Sequence, residues 1–230
     1  DTRFMVKILE SLGATAKFED GTLTVHAHKI KGYADYDLVR KMRGSICIAG
    51  PLLARLRRAR ISLPGGCIIG ARPINLHLKA LKQMDVEITL DQGYVLAQCK
   101  KLKGAHIVFD FPTVGGTENT MMAAVLADGE TVIENAAKEP EIVDLANYLS
   151  KMGAKISGAG TGTITITGVE NLRGAEHEVC PDRVEAGTLI CAAAITFGEM
   201  TVTNCNPHDL ETFLKKLKES GIKMEIGTDS

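Results

Sequence analysis

Hydrophobic and polar residues follow one another in a pattern that repeats every 68 to 72 residues along the chain. In each copy, apolar residues spaced three and four apart indicate an amphipathic helix, and short β-type runs after a turn predict strands. The turns of successive copies match at Gly13, Asp85, Gly153 and Gly221. This period predicts a protein built from repeated helix–strand units.

Each copy predicts one helix followed by short strands. The expected segments are Met5–Gly13 with Ala14–Phe18 and Leu23–Val25, Leu76–Met84 with Val86–Ile88 and Tyr94–Ala97, Ile142–Gly153 with Ala154–Ile156 and Ile164–Ile166, and Leu210–Gly221 with Ile222–Ile226. A second, alanine-rich helix that leads into a strand completes the unit, because Met122–Asn135 resembles Cys191–Asn204. Ile48–Ala54 and the strand Ile61–Leu63 are its counterpart. Such units can share one core, so we expect an α/β fold.

Composition narrows the class of protein. The 230 residues are 45% hydrophobic and carry a formal net charge of -1, so no overall basic character indicates nucleic-acid binding. The one basic run, Arg55–Arg60, is expected at a solvated helix end. The longest apolar run, Leu189–Ile195, predicts a buried helix centre, too short for a membrane span. Six cysteines without Cys-x-x-Cys spacing indicate a reducing cytoplasm, with no metal site and no cofactor expected.

A glycine-rich turn carries the most distinctive chemistry. After the strand-like Ile61–Leu63, Pro64-Gly65-Gly66 delivers Cys67 to a turn, and Arg72-Pro73 is expected to open a helix. Unpaired N–H groups at a helix start beside an arginine suit an anion. The alternative is ordinary turn chemistry around a cysteine that acts as a small hydrophobe.

The run Leu63-Pro-Gly-Gly-Cys-Ile-Ile-Gly-Ala-Arg-Pro-Ile-Asn-Leu-His77 resembles the signature loop of the UDP-N-acetylglucosamine enolpyruvyl transferases. This resemblance implies an inside-out α/β barrel of the enolpyruvyl transferase type, with helices inside and sheets outside. It also implies that residues 1–179 are most of a first domain, without its first helix and strand, and that residues 180–230 open a second domain. We therefore expect a piece of a longer protein whose partner is the rest of that second domain.

The resemblance implies that the enolpyruvyl group of phosphoenolpyruvate moves to the 3-hydroxyl of UDP-N-acetylglucosamine, with release of phosphate. Cys67 is the implied catalytic residue, either as proton donor or as nucleophile. Arg72 is implied to contact phosphoenolpyruvate and nucleotide. The other implied substrate-binding residues are Arg43, Pro73, Ile74, Asn75, Leu76, Phe111, Pro112, Thr113 and Val114. Glu139–Glu141 and Asp182–Glu185 are expected near the domain interface.

Two positions depart from the pattern of the family. Asparagine stands at Asn75 where aspartate is usual, and Phe111 occupies a position that is lysine in some members. Stretches that carry further catalytic groups have no counterpart in the 230 residues, so we expect this chain alone to be inactive. A non-catalytic homologue that binds a nucleotide sugar stays open as an alternative. The shikimate-pathway enolpyruvyl transferase fits less well, because it lacks the Pro-Gly-Gly-Cys loop.

Overall fold

The computed structural model describes residues 1–63 and 74–230, so Cys67, Arg72 and Pro73 lie outside the described residues. Its α-helices are Thr2–Ser11 (α1), Tyr36–Val39 (α2), Ala49–Leu56 (α3), Asn75–Gln83 (α4), Val114–Ala124 (α5), Pro140–Lys151 (α6), Arg183–Thr196 (α7) and Glu211–Glu219 (α8). Its strands are Thr15–Glu19 (β1), Thr22–His26 (β2), Arg58–Ser62 (β3), Glu87–Asp91 (β4), Tyr94–Gln98 (β5), His106–Val108 (β6), Glu130–Glu134 (β7), Lys155–Ser157 (β8) and Thr163–Thr167 (β9). Short 3-10 helices lie at Arg43–Ile48 and Pro207–Leu210.

The sheets repeat the same topology. One sheet has the order β3-β5-β4 and another has the order β6-β7-β9-β8, so β7, β9 and β8 reproduce β3, β5 and β4. Strand β3 pairs antiparallel with β5, the second strand of the hairpin β4-β5. Strand β7 pairs in the same way with β9, the second strand of the hairpin β8-β9. The predicted repeat of one helix followed by two strands is therefore confirmed for the second and third copies, in residues 77–103 and 145–172.

The turn after the helix has a left-handed backbone in every copy. The φ angle is 99° at Gly13, 68° at Asp85, 108° at Gly153 and 87° at Gly221. A Cβ atom disfavours positive φ, which explains three glycines and one aspartate, a residue that tolerates this region better than most. The repeat seen in the sequence thus has a cause in the backbone.

Helix α5 lies at the centre of the large apolar core. Seven of its residues are buried and they point in several directions, whereas β3 alternates exposed Arg58 and Arg60 with buried Ala59 and Ile61. Helices α3 and α4 both pack against α5. A helix buried all round, enclosed by sheets with one solvent face, matches the expected arrangement of helices inside and sheets outside.

A second, smaller apolar cluster forms in the C-terminal part of the chain. It contains Ala186, Cys205, Leu210 and Leu214, while the large core extends from Ile8 to Ile166. The two clusters share no buried residue. A domain boundary near residue 180 is compatible with this separation and stays a prediction.

The fourth repeat departs from its predicted strands. Residues 201–203 and 222–226 are irregular, although α8 forms where the helix was expected. In the preceding repeat, β7 depends on pairing with β9, the second strand of its hairpin. Among the described residues after α8, none forms a strand that pairs with 201–203.

The prediction that Leu189–Ile195 forms a buried helix centre was wrong. Leu189 is 42% exposed and Ile195 80% exposed, and Cys191, which we expected to be protected, is also exposed. Leu189–Ile195 does lie within the helix α7, but no second helical layer among the described residues covers this face. Neither α7 nor any other helix in the described ranges has the length and apolarity to cross a membrane.

The basic run also differs from its expected position. Helix α3 ends at Leu56, and Arg57 caps it with a φ of 61°. Arg58 and Arg60 instead lie on the exposed face of β3, because the strand begins immediately after the cap. Arg58 and Arg60 therefore lie on the surface of a sheet and not at the end of a helix.

We expect Gly153→Ala to lower the free energy of unfolding by about 1–2 kcal/mol, because alanine disfavours positive φ. No atom lies within 4 Å of the added Cβ, so crowding should contribute nothing. Gly174→Ala is the matched control, since its Cβ also meets open space and its φ is not positive. Denaturant unfolding would measure both changes, and equal stabilities for the two variants would contradict a backbone origin of the repeat.

Candidate functional site

The start of α5 places one predicted substrate-binding segment. Thr113 is the N-cap, and its Oγ1 accepts a hydrogen bond from Gly116 N at 3.3 Å. Val114 is the first helical residue, and exposed Phe111 and Pro112 precede the cap. The first-turn N–H groups of a helix have no partner within the helix and carry partial positive charge. This helix start can therefore bind an anionic group.

The start of α4 places a second predicted segment. Ile74 is the half-buried N-cap and Asn75 is exposed, but the Leu76 side chain is only 4% exposed and packs in the apolar core. A substrate contact at Leu76 would have to come from its backbone. Arg43 is half-buried at the first position of the 3-10 helix Arg43–Ile48.

The buried amide of Asn119 connects these elements. Its Oδ1 accepts a hydrogen bond from Gly50 N in α3 at 2.7 Å. Its Nδ2 donates to Ile46 O in the 3-10 helix at 3.4 Å and contacts His77 Nδ1 in α4 at 3.2 Å. Both N–H groups and the oxygen are therefore used. One side chain of α5 thus holds three other elements at the site.

His77 is an uncharged member of this network. Burial, and then the positive charge of Arg43, lower the pKa of its ring from 6.5 to about 4. The ring is therefore neutral near pH 7. Because the Asn119 amide donates to Nδ1, the ring proton lies on Nε2.

A thiol and a carboxyl group extend the cluster. Cys47 Sγ lies 4.0 Å from Glu118 Oε2, which it contacts as a weak donor. Burial, and then the charge of Glu118, raise the pKa of Cys47 to about 12, so the thiol does not ionise near neutrality. Burial, and then repulsion by Glu141, raise the pKa of Glu118 from 4.5 to about 7. Near pH 7 this group can hold or release a proton.

An ion pair links α6 to α7. Arg183 Nε and Nη2 donate to the two oxygens of Glu141 at 3.1 and 2.9 Å. Burial alone would raise the pKa of Glu141, but the hydrogen bonds and charge of Arg183 outweigh it and lower the pKa. Asp182 caps α7 by accepting from Val184 N and Glu185 N. The two predicted interface motifs thus contact each other through Arg183.

The structure brings the helix starts together through residues that sequence reasoning did not assign to the site. Lys79 of α4 pairs with Asp110, just before Phe111, at 2.7 Å. Asn119 and Glu118 were missed, although polar residues inside an otherwise small and apolar helix are an available signal. His77 closes the recognised loop motif but was given no role. The described residues do not include Cys67, Arg72 or Pro73.

Comparison with known families decides the family of the chain. The family model described as EPSP synthase (3-phosphoshikimate 1-carboxyvinyltransferase) matches residues 1–230. The chain belongs to this family.

Similar proteins carry a more specific name. The UDP-N-acetylglucosamine 1-carboxyvinyltransferase of Nitratidesulfovibrio vulgaris is 54% identical over 219 residues, which cover 95% of this chain and 52% of that protein. The protein of the same name from Solidesulfovibrio magneticus is 54% identical over 226 residues, which cover 98% of this chain and 54% of that protein. The chain spans about half the length of these curated relatives. These names confirm the resemblance found in the loop motif.

A solved structure supports the fold. The crystal structure of the enolpyruvyl transferase NikO from Streptomyces tendae aligns with a TM-score of 0.84 at 22% identity. The alignment covers 99% of this chain and 56% of the NikO chain. At this identity the likeness concerns the fold alone, and it confirms the predicted enolpyruvyl transferase fold.

We expect Asn119→Ala to lower the free energy of unfolding by about 2–4 kcal/mol, because Gly50 N–H and His77 Nδ1 lose their buried partner. Asn147→Ala, at an exposed position of α6, is the matched control and should change stability by less than about 0.5 kcal/mol. Denaturant unfolding would measure both variants. A loss below about 1 kcal/mol for Asn119→Ala would contradict its role in joining the elements.

The pKa values of His77 and Glu118 predict opposite dependences of stability on pH. The lowered pKa of His77 contributes stability that is full above pH 6.5 and is lost as pH falls towards about 4. The raised pKa of Glu118 contributes stability that is full below pH 4.5 and is lost as pH rises through about 7. Each contribution is at most about 3 kcal/mol.

Single variants should separate the two contributions. Between pH 7 and 4.5, we expect Glu118→Gln to lose stability on acidification more steeply than the wild type, and His77→Gln to lose less or to gain. Denaturant unfolding across this range provides the measurement, with His26→Gln on β2 as an exposed control. If the free energy of unfolding changed with pH in the same way in both site variants, neither group would titrate as described.

Proposed function

We propose that the protein containing this chain transfers the enolpyruvyl group of phosphoenolpyruvate to the 3-hydroxyl of UDP-N-acetylglucosamine, with release of phosphate. The observation that carries this proposal is 54% identity, over nearly the whole chain, to relatives named for that reaction. The Pro64–His77 motif supports it, because this run resembles the loop of those enzymes. Such a protein would act in peptidoglycan synthesis.

The reaction needs three kinds of group. A proton must reach the vinyl carbon, the acceptor hydroxyl must lose its proton, and the carboxylate and phosphate of phosphoenolpyruvate need cationic partners. Cys67 is the proposed proton donor or nucleophile, and Arg72 is a proposed partner for the anionic groups. An arginine close to Cys67 would favour the thiolate and with it covalent addition, whereas a neutral thiol would serve as the proton donor, and both roles stay open.

The described part of the site supports binding of a nucleotide diphosphate. The capped start of α5 offers first-turn N–H groups at Val114, and half-buried Arg43 supplies a positive charge. Asn75, exposed at the start of α4, can donate to and accept from a uracil ring. Because Asn119 joins these elements, the proposed site would be preorganised before the nucleotide binds.

We propose that residues 1–179 form most of one domain and that residues 180–230 open a second. The separate apolar clusters support this division. The exposed apolar face of α7, with Ile195 80% exposed and Phe197 98% exposed, supports a role for the rest of the second domain as its cover. We also propose a cytoplasmic location, since the substrates are intermediates of a cytoplasmic biosynthesis and the five cysteines of the described residues are all free.

The role of Cys67 is testable with fosfomycin, an epoxide that the family resemblance implies as a mimic of phosphoenolpyruvate. We expect a protein that includes the rest of the second domain to be modified mainly at Cys67 and to release phosphate from phosphoenolpyruvate in the presence of UDP-N-acetylglucosamine. Cys67→Ala should lose both properties, whereas Cys191→Ala should keep the modification. The 230-residue chain should react much more slowly. Peptide mass mapping and phosphate release provide the measurements.

Cys191 makes the test selective because it is an exposed thiol on α7. Labelling at Cys191 in preference to Cys67 would show that accessibility alone governs the reaction and would contradict the proposed site. Binding of UDP-N-acetylglucosamine without phosphate release by the longer protein would favour the non-catalytic alternative. Equal labelling rates for the chain and the longer protein would contradict a site shared between domains.

A further inference from the structure

A groove on the outer face of the sheet β3-β5-β4 lies outside the proposed substrate site. Its volume is about 710 Å³, and the segment 30–33 forms one side of it. This segment is held to β3, because Arg60 N donates to Gly32 O at 2.7 Å and Tyr33 forms a bridge with Arg60. The groove is thus built from ordered backbone and has the size of a small-molecule site.

The charged residues that line this groove are mainly cationic. Lys31, Arg58 and Arg60 contribute positive charge, and Glu87 is the only carboxylate among the lining residues. Glu87 already accepts a hydrogen bond from Gln98 Nε2 at 3.0 Å. Within the described ranges, none of the three cations forms an ion pair with a carboxylate. An anion in the groove would therefore meet uncompensated positive charge although the chain as a whole is nearly neutral.

Aromatic rings hold one of these cations in place. Arg60 Cζ lies 4.2 Å from the centre of the Tyr94 ring, and that ring lies 5.6 Å from the ring of Tyr36. Stacking uses the flat face of the guanidinium and leaves its N–H edge free to donate to an oxyanion. Tyr33, which is 56% exposed, adds a second ring to the wall of the groove, and Lys31 Nζ lies 5.8 Å from its centre.

Arg58 is accommodated by a glycine opposite it. A Cβ added at Gly32 would lie 3.2 Å from Arg58 Cγ and 3.2 Å from Arg58 O. A larger residue at this position would press on the Arg58 stem. The backbone of the segment 30–33 therefore leaves room for the arginine beside it.

The repeated fold provides an internal comparison for these residues. The registers align Arg58, Arg60 and Tyr94 of one sheet with Glu130, Val132 and Thr163 of the other. Both sheets keep the same order and the same buried positions, Ala59 and Ile61 in one and Thr131 and Ile133 in the other. The fold itself therefore does not require the two arginines or the tyrosine. Only one of these two sheets carries them, so their side chains are available for a role other than folding.

From these observations we propose that the groove on β3-β5-β4 is a second binding site, for a small nucleoside polyphosphate. The phosphates bind Arg58, Arg60 and Lys31, which offer charge-assisted hydrogen bonds. The base lies against the Tyr33 ring, because stacking on an aromatic side chain accepts any base. The site is separate from the helix starts that form the proposed substrate site.

The test is calorimetric titration of the 230-residue chain with ATP and with inorganic triphosphate, in the absence of divalent cations. We expect saturable binding of both, with ATP tighter than triphosphate. Arg58→Gln/Arg60→Gln should weaken both by at least about tenfold, since each lost charged hydrogen bond costs a substantial part of the affinity. Arg3→Gln/Lys155→Gln removes the same charge at exposed positions elsewhere and should change affinity by less than about twofold.

A second variant tests the contribution of the Tyr33 ring. The chemical shifts of backbone amides test where ATP binds. Tyr33→Ser should weaken ATP and leave triphosphate unchanged. ATP should shift the amide resonances of Arg60 and Leu96, and leave those of Val114 and Gly115 at the start of α5 unchanged. Circular dichroism and thermal melting would verify that each variant is folded.

Several results would overturn the proposal. Absence of binding by the wild-type chain, equal affinity in the double arginine variant, or shifts confined to the start of α5 would each exclude the groove as a site. Equal affinities for ATP and triphosphate would show that the nucleoside does not contribute to binding and would exclude the proposed contact between the base and Tyr33. None of these results depends on transfer activity, so failure here leaves the proposed function untouched, and failure of that function leaves this site untouched.

Discussion

The hydrogen bonds of Asn119 are the constraint on which the arrangement of the inner helices depends. A buried amide costs free energy unless its donors and acceptor are all paired. Gly50 N, Ile46 O and His77 Nδ1 supply the partners, and each belongs to a different element. Moving α3, α4 or the 3-10 helix relative to α5 would leave one of these groups unpaired. The same hydrogen bonds position Arg43, Asn75 and Val114. Arg43 and Asn75 begin two elements that Asn119 contacts, and Val114 begins α5, the helix that contains Asn119.

The electrostatics of the site follow from this packing. Burial discourages charge on every group around Asn119, so the pKa of His77 falls to about 4 while those of Cys47 and Glu118 rise to about 12 and about 7. Glu141 is the exception because Arg183 supplies hydrogen bonds and a compensating charge. The interior of the site is therefore close to neutral near pH 7. Within the described part of this cluster, the charge of Arg43 is then opposed by the ionised fraction of Glu118, and an anionic ligand would meet a positive environment.

The features that sequence reasoning predicted are those with local causes. The repeat depends on helical periodicity and on turn residues that tolerate positive φ, and both are visible in the residues around Gly13, Asp85 and Gly153. The start of α5 has a local cause as well, because Thr113 is a residue type favoured as an N-cap, but it was not predicted from the sequence. The exposure of Ile195 and the irregular segment 201–203 could not be predicted in this way, because burial and strand pairing depend on partners distant in sequence. The role of Asn119 was hidden for the same reason, since its three partners lie 42 to 73 residues away.

The two related sheets separate the requirements of the fold from those of binding. Where strands β3 and β7 face the core, both carry residues that pack, and the left-handed turns recur at matched positions. Where the same strands face solvent, one carries Arg58 and Arg60 and the other carries Glu130 and Val132. A repeated backbone therefore leaves its outer positions free to differ, because substitutions there change little in the packing. Residues that appear on only one of these two sheets are therefore not required by the shared backbone, and the same comparison can be made for the inner helices. Asn119 lies inside such a helix, where an apolar residue would pack without the need for three matching partners. What the amide adds is a fixed geometry of the helix starts, because its hydrogen bonds are satisfied in one arrangement of the elements.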